Sequence, residues 1–355
     1  MAGISEIAAS GSGPAGQAPG EGGGHRARIL VAPLSSAFNR FISRFGEALG
    51  AAGLQPAPLE WTLGSMRRAH FILLHWPDAF FGWRGLPRAA ARLAKLLVAR
   101  ASGARLIWMA HNVVPHGAGR RDGPLSAIFL SAIDGVIFMS ETSRQAALGH
   151  YPQLARARHL VTIHGLYAPV IPVPPARART DGQPMTLLNF GLLRPYKNIE
   201  ALIDAVAARP GAARLHVLGF SADRDYGASL AARAGEAVVI DARDASIPEA
   251  ELEQAIDAAD LVVLPYRNIM HSGSAIHALS RHRPVVVPAV GAMPELRALM
   301  GDDWVFTFDG EFDGATLAQA LAWGAGPRAA APPLDRLCWG RVERDLADFF
   351  ARFPG

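Results

Sequence analysis

The feature that most constrains the fold is a repeated alternation of short apolar runs with helix-like segments. The apolar runs are continuous rather than alternating, which is typical of parallel strands covered on both faces. The alternation stops at residues 168–184, where closely spaced prolines prevent a helix or a central strand, and then starts again. The pattern predicts an α/β protein with two doubly wound, Rossmann-like domains that face each other across a cleft. The predicted strands are 28–33, 70–76, 105–111, 134–140 and 159–164 in the first half, and 185–191, 214–219, 237–240, 260–265, 284–288 and 304–308 in the second.

The same pattern divides the chain of 355 residues into segments. Residues 1–24 are rich in Gly, Ala and Ser and lack the basic start and apolar core of a signal peptide, so we expect a disordered arm. We expect an N-terminal domain over 25–167, a linker over 168–184 and a C-terminal domain over 185–335. The last segment, 336–355, is predicted to be a C-terminal helix with one apolar stripe, formed by Val342, Leu346, Phe349, Phe350 and Phe353.

Composition and charge exclude several kinds of protein. Lys and Arg number 35 against 31 Asp and Glu. This modest excess suits an acidic ligand or an anionic membrane surface, but does not indicate a nucleic-acid-binding protein. The one cysteine, Cys338, excludes an intrachain disulfide and a cysteine-cluster metal site. No apolar run reaches the ~18 residues that a membrane span needs, and a single cysteine fits a reducing compartment, so we expect a cytoplasmic location.

Two cations follow the first strand of the second half, in the segment "FGLLRPYKN". Arg194 lies in the loop after the strand, and Lys197 opens the next helix. In open α/β sheets ligands bind beyond the carboxyl ends of the strands. An Arg fork and a Lys point charge at such a place suit a diphosphate. The alternative is that both side chains are solvated surface charges.

A second anion-suited feature is the helix start "HSGSAIH" after the strand 260–265. Ser272, Gly273 and Ser274 are small, and no acidic residue occurs from Tyr266 to Pro288. A helix start has unpaired N–H groups and a partial positive charge, and glycine lets a phosphate approach the backbone. The alternative is an ordinary N-cap serine. Two such features at neighbouring strand ends favour a phosphate site.

The ordered set "FGLLRPYKNIEALIDA", "HVLG", "DLVVLPY" and "SGSAIHALSRHRPVVVPAVGAMPEL" resembles nucleotide-sugar glycosyltransferases of the GT-B fold, in the family 4-like group. The resemblance covers most of residues 185–300. It implies that Arg194 and Lys197 grip the donor diphosphate, that Tyr266 and the Ser272–Ser274 helix start line the donor site, and that Glu295 lies near the donor.

One departure from the family 4 pattern concerns the two glutamates spaced E-x7-E in its retaining members. The matching positions here are Ile269 and His277, and neither is acidic. With "SG" in the corresponding loop, the chain is most similar to bacterial β-mannosyltransferases that build lipid-linked exopolysaccharide repeat units.

The first half also carries candidate catalytic residues at strand ends. In the resembling group an H-W-P-acidic element follows a strand, and here it reads His75-Trp76-Pro77-Asp78. An inverting transfer needs a general base for the acceptor hydroxyl, and Asp78 suits that role; the alternative is a turn residue after proline. His111, in "WMAHNVVPHG", matches a histidine that GT-B enzymes often keep near the transferred sugar, and His116 is a further candidate base.

The resemblance implies an inverting enzyme that moves mannose from GDP-mannose to a polyprenyl-diphosphate-linked oligosaccharide. The alternatives are a retaining family 4-like transferase with another nucleotide sugar, and a non-catalytic GT-B chain that binds a sugar or a partner. No cofactor or metal is expected, since the sequence has no D-x-D motif and GT-B enzymes commonly stabilise the leaving diphosphate without a metal. The basic segment 84–105, with Arg88, Arg92 and Lys95 on one face, suits the anionic inner face of the plasma membrane. Its alternative is a surface helix packed on the sheet.

Overall fold

The computed structural model describes residues 26–36, 39–81, 85–112, 122–167, 171–172 and 182–354, and contains two six-stranded parallel sheets. The first sheet has the order β2-β1-β3-β4-β5-β6 and the second the order β12-β11-β10-β7-β8-β9. The strands of the first sheet are β1 (Arg28–Ala32), β2 (Gln55–Pro58), β3 (Phe71–Leu74), β4 (Arg105–Met109), β5 (Gly135–Phe138) and β6 (Arg158–Val161). Those of the second are β7 (Met185–Phe190), β8 (Ala213–Phe220), β9 (Val238–Arg243), β10 (Leu261–Val263), β11 (Val285–Pro288) and β12 (Val305–Phe308).

Helices connect successive strands and cover the faces of both sheets, as parallel crossovers require. In the first half they are α1 (Arg40–Ala51), α2 (Leu63–Met66), α3 (Leu86–Ala101), α4 (Pro124–Ala132) and α5 (Glu141–His150). In the second half they are α6 (Ile199–Ala207), α7 (Arg224–Arg233), α8 (Glu249–Ala258), α9 (Gly273–Ser280), α10 (Met293–Met300), α11 (Gly314–Ala325) and α12 (Trp339–Ala351). The predicted fold class, two doubly wound α/β domains, is confirmed.

All the predicted strands are present, and one strand was missed. β2 has the sequence QPAP and pairs with β1 alone, in parallel register from Arg28 opposite Gln55. Two prolines remove backbone donors, which a central strand does not tolerate but an edge strand does. QPAP also lacks the continuous apolar run by which the other strands were predicted, which is why this strand was missed.

The C-terminal helix α12 returns to the first domain. Four residues of its predicted stripe are buried, whereas the fifth, Phe353, lies beyond the helix and is partly buried. Phe350 packs edge-on against Phe71 of β3 with ring centroids 4.7 Å apart. Thr162, just after β6, donates a hydrogen bond of 2.8 Å to Asp345 of α12. The last segment of the chain therefore ties the second domain to the first sheet. The predicted arm 1–24 and most of the predicted linker lie outside the described residues, and the predicted boundaries stay a prediction.

The basic helix α3 packs on the first sheet through Leu93 and Leu96, which are buried. Two of its cations make local contacts. The Arg92 guanidinium lies 4.7 Å from the ring centroid of Trp61, and the Lys95 ammonium donates to the Trp61 carbonyl at 2.8 Å. None of the described helices combines the length and the apolar character needed to cross a bilayer.

Candidate active site

Lys197 is a buried cation at the carboxyl end of β7. Its side chain is only 4% exposed, and Nζ donates a hydrogen bond of 2.9 Å to the carbonyl of Phe190. No carboxylate of the described residues pairs with it, and burial alone lowers the pKa of Lys197 to about 8. A buried ammonium without a counter-charge is costly in a protein that binds nothing there. It suits a site completed by an anionic ligand.

Gly191 leaves open space beside that ammonium. A Cβ at this position would lie 3.1 Å from Lys197 Nζ and 3.3 Å from Ser274 Oγ, and the backbone φ is +101°. The ammonium after β7 and the hydroxyl at the start of α9 therefore converge on one point next to a backbone without a side chain. Sequence reasoning missed Gly191, although the "FG" at the end of the strand was a signal for it. We call this convergence the anion cradle.

The start of α9 is held by a hydroxyl pair. Ser272 is the N-cap, accepting a hydrogen bond of 3.1 Å from the Ala275 N–H, as the alternative reading expected. The hydroxyls of Ser272 and Tyr266 are 2.9 Å apart. Lys197 Nζ lies 5.7 Å from the centroid of the Tyr266 ring. Tyr266 therefore braces the helix start and forms one wall near the anion cradle.

The structure gives a different reason for a glycine at position 273 from the one that the sequence suggested. A Cβ on it would meet the ring of Tyr167, with Cζ only 2.8 Å away. The missing side chain thus makes room for a tyrosine of the first domain, rather than visibly for a phosphate. Tyr167 also stacks on His277 of α9, with centroids 5.7 Å apart and an interplanar angle of 10°. Burial raises the pKa of Tyr167 to about 12, so its hydroxyl stays protonated.

Replacing Gly273 by alanine is expected to destabilise the contact between the domains by ~1–3 kcal/mol, because the methyl group overpacks the Tyr167 ring. In a Tyr167→Ala background the same substitution should cost much less, and a double-mutant cycle by denaturant unfolding measures this coupling. Gly235→Ala is the matched control, since nothing lies within 4 Å of a Cβ there. Equal costs in both backgrounds would show that Tyr167 is not the reason for this glycine.

Arg194 and Glu295 occupy different surroundings. Arg194 is exposed in the loop after β7 and forms no ion pair with a described residue.

The Glu295 carboxylate accepts hydrogen bonds from the N–H groups of Glu141 at 3.0 Å and Thr142 at 2.6 Å. Glu295 therefore caps α5 of the opposite domain, where the helix dipole favours a negative charge. These two bonds leave lone pairs on the carboxylate, so its place near the donor stays a prediction.

Glu295→Ala is expected to loosen domain closure. It leaves two N–H groups at the start of α5 without an acceptor, which costs ~1–3 kcal/mol when such groups are buried. The melting temperature should fall and the radius of gyration from X-ray scattering should rise, while nucleotide affinity changes little. Weakened nucleotide binding at an unchanged radius would instead favour the donor contact that the sequence predicted.

Four histidines meet where the domains face each other: His75 after β3, His111 after β4, His164 after β6 and His271 before α9. His75 Nδ1 and His111 Nε2 are 2.8 Å apart, and His271 Nδ1 is 3.3 Å from the His111 carbonyl oxygen. Burial lowers the pKa of His75 and His271 to about 3 and that of His164 to about 4, and it holds the pKa of His111 well below its usual range. The cluster is therefore neutral near pH 7. His116 lies outside the described residues.

Asp78 begins a one-turn 3-10 helix, Asp78–Phe80, after β3. Its carbonyl accepts from the Phe81 N–H at 3.1 Å, which is the turn role that the alternative reading expected. Its side chain is partly exposed. The neighbouring Trp76 is 38% exposed and stacks on His111, with centroids 4.7 Å apart and an interplanar angle of 20°. Asp78 is thus a partly exposed residue two positions after Trp76, which contacts the histidine cluster.

A cavity of about 650 Å³ at the carboxyl ends of β8 and β9 is lined in part by Arg224 and Arg243. The loop that carries Lys197 joins the same edge, because the Leu193 N–H donates to the Phe220 carbonyl at 2.8 Å. Ligand pockets typically measure roughly 300–1,000 Å³. The cavity therefore lies at the same edge of the second sheet as the anion cradle and has the size of a ligand pocket. In the part of the chain that the structure describes, no group of three His, Cys, Asp or Glu is arranged to hold a metal.

Comparison with known proteins finds a family model that matches part of the second half of the chain. Residues 184–323 match the model of "Glycosyl transferases group 1". The chain is 28% identical over 311 residues to the GDP-mannose:glycolipid 4-beta-D-mannosyltransferase of Xanthomonas campestris pv. campestris, covering 86% of this chain and 85% of that protein.

Solved structures share the architecture at low identity. HepE from Anabaena, in complex with UDP and glucose, has a TM-score of 0.63 at 12% identity and covers 93% of this chain and 100% of its own. Sucrose-phosphate synthase from Thermosynechococcus elongatus has a TM-score of 0.57 at 15% identity, with coverage of 92% and 95%. At such identities the likeness is one of fold.

Proposed function

This chain is a glycosyltransferase with the GT-B fold, and we propose that it transfers mannose from GDP-mannose, with inversion, to an oligosaccharide linked to polyprenyl diphosphate. The observation that carries the proposal is the anion cradle. Lys197 is buried without a carboxylate partner among the described residues, and its ammonium and the Ser274 hydroxyl flank the open backbone of Gly191. A donor diphosphate supplies the missing negative charge.

The anion cradle stabilises the negative charge that develops when the bond between the sugar and the diphosphate breaks. As the acceptor oxygen bonds to C1 of mannose, the bond from C1 to the phosphate oxygen breaks and negative charge builds up on the leaving GDP. Lys197, the Ser274 hydroxyl and the positive end of α9 stabilise that charge at fixed positions. Arg194, exposed at the same strand end, closes on the diphosphate from the solvent side.

The acceptor hydroxyl must lose a proton during attack. Asp78 takes it in this proposal, because a carboxylate can accept a proton and this residue is partly exposed to solvent. The proton leaves the acceptor oxygen for Asp78 as the new glycosidic bond forms. No metal ion is part of the proposal.

The choice of mannose, GDP and a lipid-linked acceptor is supported by the Xanthomonas relative, whose name gives GDP-mannose as donor and a glycolipid as acceptor. Because the sugar of GDP-mannose is α-linked, a β-linked product requires inversion. The basic helix α3 supports a position on the cytoplasmic face of an anionic membrane, where Arg88 remains exposed. Exopolysaccharide synthesis is the role that fits such an acceptor.

The test is transfer from GDP-mannose labelled with carbon-13 at C1 to polyprenyl-diphosphate oligosaccharides extracted from a polysaccharide-producing bacterium. We expect a mannosylated lipid whose C1–H1 coupling identifies the β-anomer. UDP-glucose and ADP-glucose serve as competing donors. An α-linked product would refute inversion, and faster transfer from another nucleotide sugar would refute GDP-mannose as the donor.

A further inference from the structure

His75 is a buried residue to which the reaction proposed above gives no role. Its side chain is 1% exposed and packs edge-on against Phe45, with ring centroids 5.5 Å apart. Its Nδ1 is 2.8 Å from Nε2 of His111, which is a hydrogen-bond distance. Its Nε2 is buried and has no hydrogen-bond partner among the described residues. Within the described structure, the one side-chain hydrogen bond of His75 is therefore the bond with His111.

The unpaired nitrogen decides which ring donates. Two neutral imidazoles share one proton in this hydrogen bond. In each neutral ring one nitrogen carries a proton and the other does not, so the protonation of the bonded nitrogen fixes that of the second nitrogen. If His111 donated, the buried Nε2 of His75 would carry an N–H without an acceptor. If His75 donates, that nitrogen is an unused acceptor, and unused acceptors are more common in protein interiors than orphaned N–H groups. The second arrangement puts the proton of His111 on Nδ1.

The contacts around His111 keep its ring in one orientation. Trp76 stacks on it at 4.7 Å, Phe41 meets it edge-on at 5.5 Å, and His271 lies 3.3 Å from its carbonyl oxygen. With Nε2 occupied by His75, only Nδ1 is left for a ligand. His111 itself is partly exposed, whereas His75 is not.

We propose that His75 is a positioning residue, whose Nδ1–H donates to His111 Nε2 and so presents His111 to the bound sugar as an Nδ1–H donor rather than as a base. The inference rests on the proposed function only in naming a sugar oxygen as the acceptor of that N–H. The proposal gives different roles to the two candidate catalytic residues, His111 and Asp78. His111 has no free lone pair with which to take a proton, so the base role falls to Asp78.

The direct test is the tautomer of His111 in the full chain labelled with nitrogen-15, read from long-range proton–nitrogen correlations in NMR spectra. Loss of one signal set in His111→Asn assigns the ring. We expect protonated Nδ1 and unprotonated Nε2 at pH 7. A proton on Nε2 of His111 would overturn the proposal. This readout needs no turnover, so it stands or falls separately from GDP-mannose transfer.

Substitutions of His75 give the matched functional test. The asparagine side-chain amide places a donor close to the former Nδ1, whereas the glutamine amide places it near the former Nε2. His75→Asn should therefore keep the Nδ1–H tautomer and restore most of the turnover that His75→Leu loses. His75→Gln should resemble His75→Leu, with turnover about 10–100-fold lower, as is typical of lost orienting partners of histidine, at an unchanged Kd for GDP.

Melting temperatures of the three variants control for folding, since a merely structural role would make turnover follow stability. Equal turnover in the asparagine and glutamine variants, at equal melting temperatures, would contradict the proposal. If the tautomer is as expected but no nucleotide sugar is turned over, the proposed function falls and the role of His75 in fixing the His111 ring remains.

Discussion

Replacing Asp78 by asparagine is expected to lower the rate of glycosyl transfer about 10²–10⁴-fold, the usual contribution of a general base. The amide keeps the size and the turn at Asp78–Phe80 but cannot accept the proton of the acceptor hydroxyl. The effect should appear in kcat, with the Kd for GDP unchanged, because Asp78 lies on the opposite domain from the anion cradle. Steady-state transfer and calorimetry on the same preparation measure the two quantities.

The control for this substitution is Asp122→Asn, which neutralises an exposed carboxylate of the first domain that pairs with His150. It should change turnover less than threefold, as is usual for surface pairs of low energy, about 0–1 kcal/mol. If Asp78→Asn also stays within a few fold of the parent enzyme, Asp78 is only a turn residue. His116 then becomes the next candidate base.

Replacing Lys197 by methionine is expected to have opposite effects on binding and on stability. Losing a charge-assisted contact costs roughly 1.5–3 kcal/mol, or about 10–150-fold in the Kd for the nucleoside diphosphate. The free energy of unfolding at pH 7 should nevertheless rise. Methionine fills the same space, and it removes an ammonium that is buried without a counter-charge.

The gain in the free energy of unfolding of the Lys197→Met variant should depend on pH, in a direction that follows from the lowered pKa of Lys197. Burial lowers the pKa of Lys197 from 10.5 to about 8, so the folded state binds this proton less tightly than the unfolded state does. The cost to stability is fully present below pH 8, declines as the pH rises from 8 to 10.5, and is absent above. The methionine variant should therefore be more stable by roughly 3 kcal/mol at pH 7 and should lose most of this advantage by pH 10.

The matched control is Arg194→Met, which removes an exposed cation at the same strand end. It should weaken nucleotide binding without raising stability. Urea unfolding at pH 7 and pH 10, with calorimetric titration of GDP at pH 7, covers both variants. A Lys197→Met protein that binds GDP as the parent does would remove Lys197 from the diphosphate site. A variant that is less stable at pH 7 would contradict the predicted cost of burying the ammonium.

The fold was predictable because its strands are buried on both faces. Runs such as those of β4 and β11 are continuously apolar, and this signal survives without knowledge of their neighbours. β2 carries no such signal, since QPAP owes its place to pairing with β1 at the edge of the sheet. The return of α12 to the first domain depends on packing between distant segments, which periodicity along one helix does not encode.

The part of the candidate site that directly follows strand ends could be predicted from the sequence. The sequence located Lys197, Ser272 and Ser274 because parallel strands bring their carboxyl ends to one edge. It did not reveal that Tyr167 packs on Gly273 or that Glu295 caps a helix of the other domain, because both are contacts between domains. Nor did it indicate the bond from His75 to His111, which joins residues on neighbouring strands of the first sheet.

The most direct test of the central claim, that the anion cradle holds the diphosphate of GDP-mannose, is calorimetric titration of the parent chain with GDP, UDP, ADP and dTDP. We predict that GDP binds most tightly and that GDP-mannose competes with it for one site per chain. Tighter binding of UDP, ADP or dTDP, or no binding of any of the four, would contradict the account.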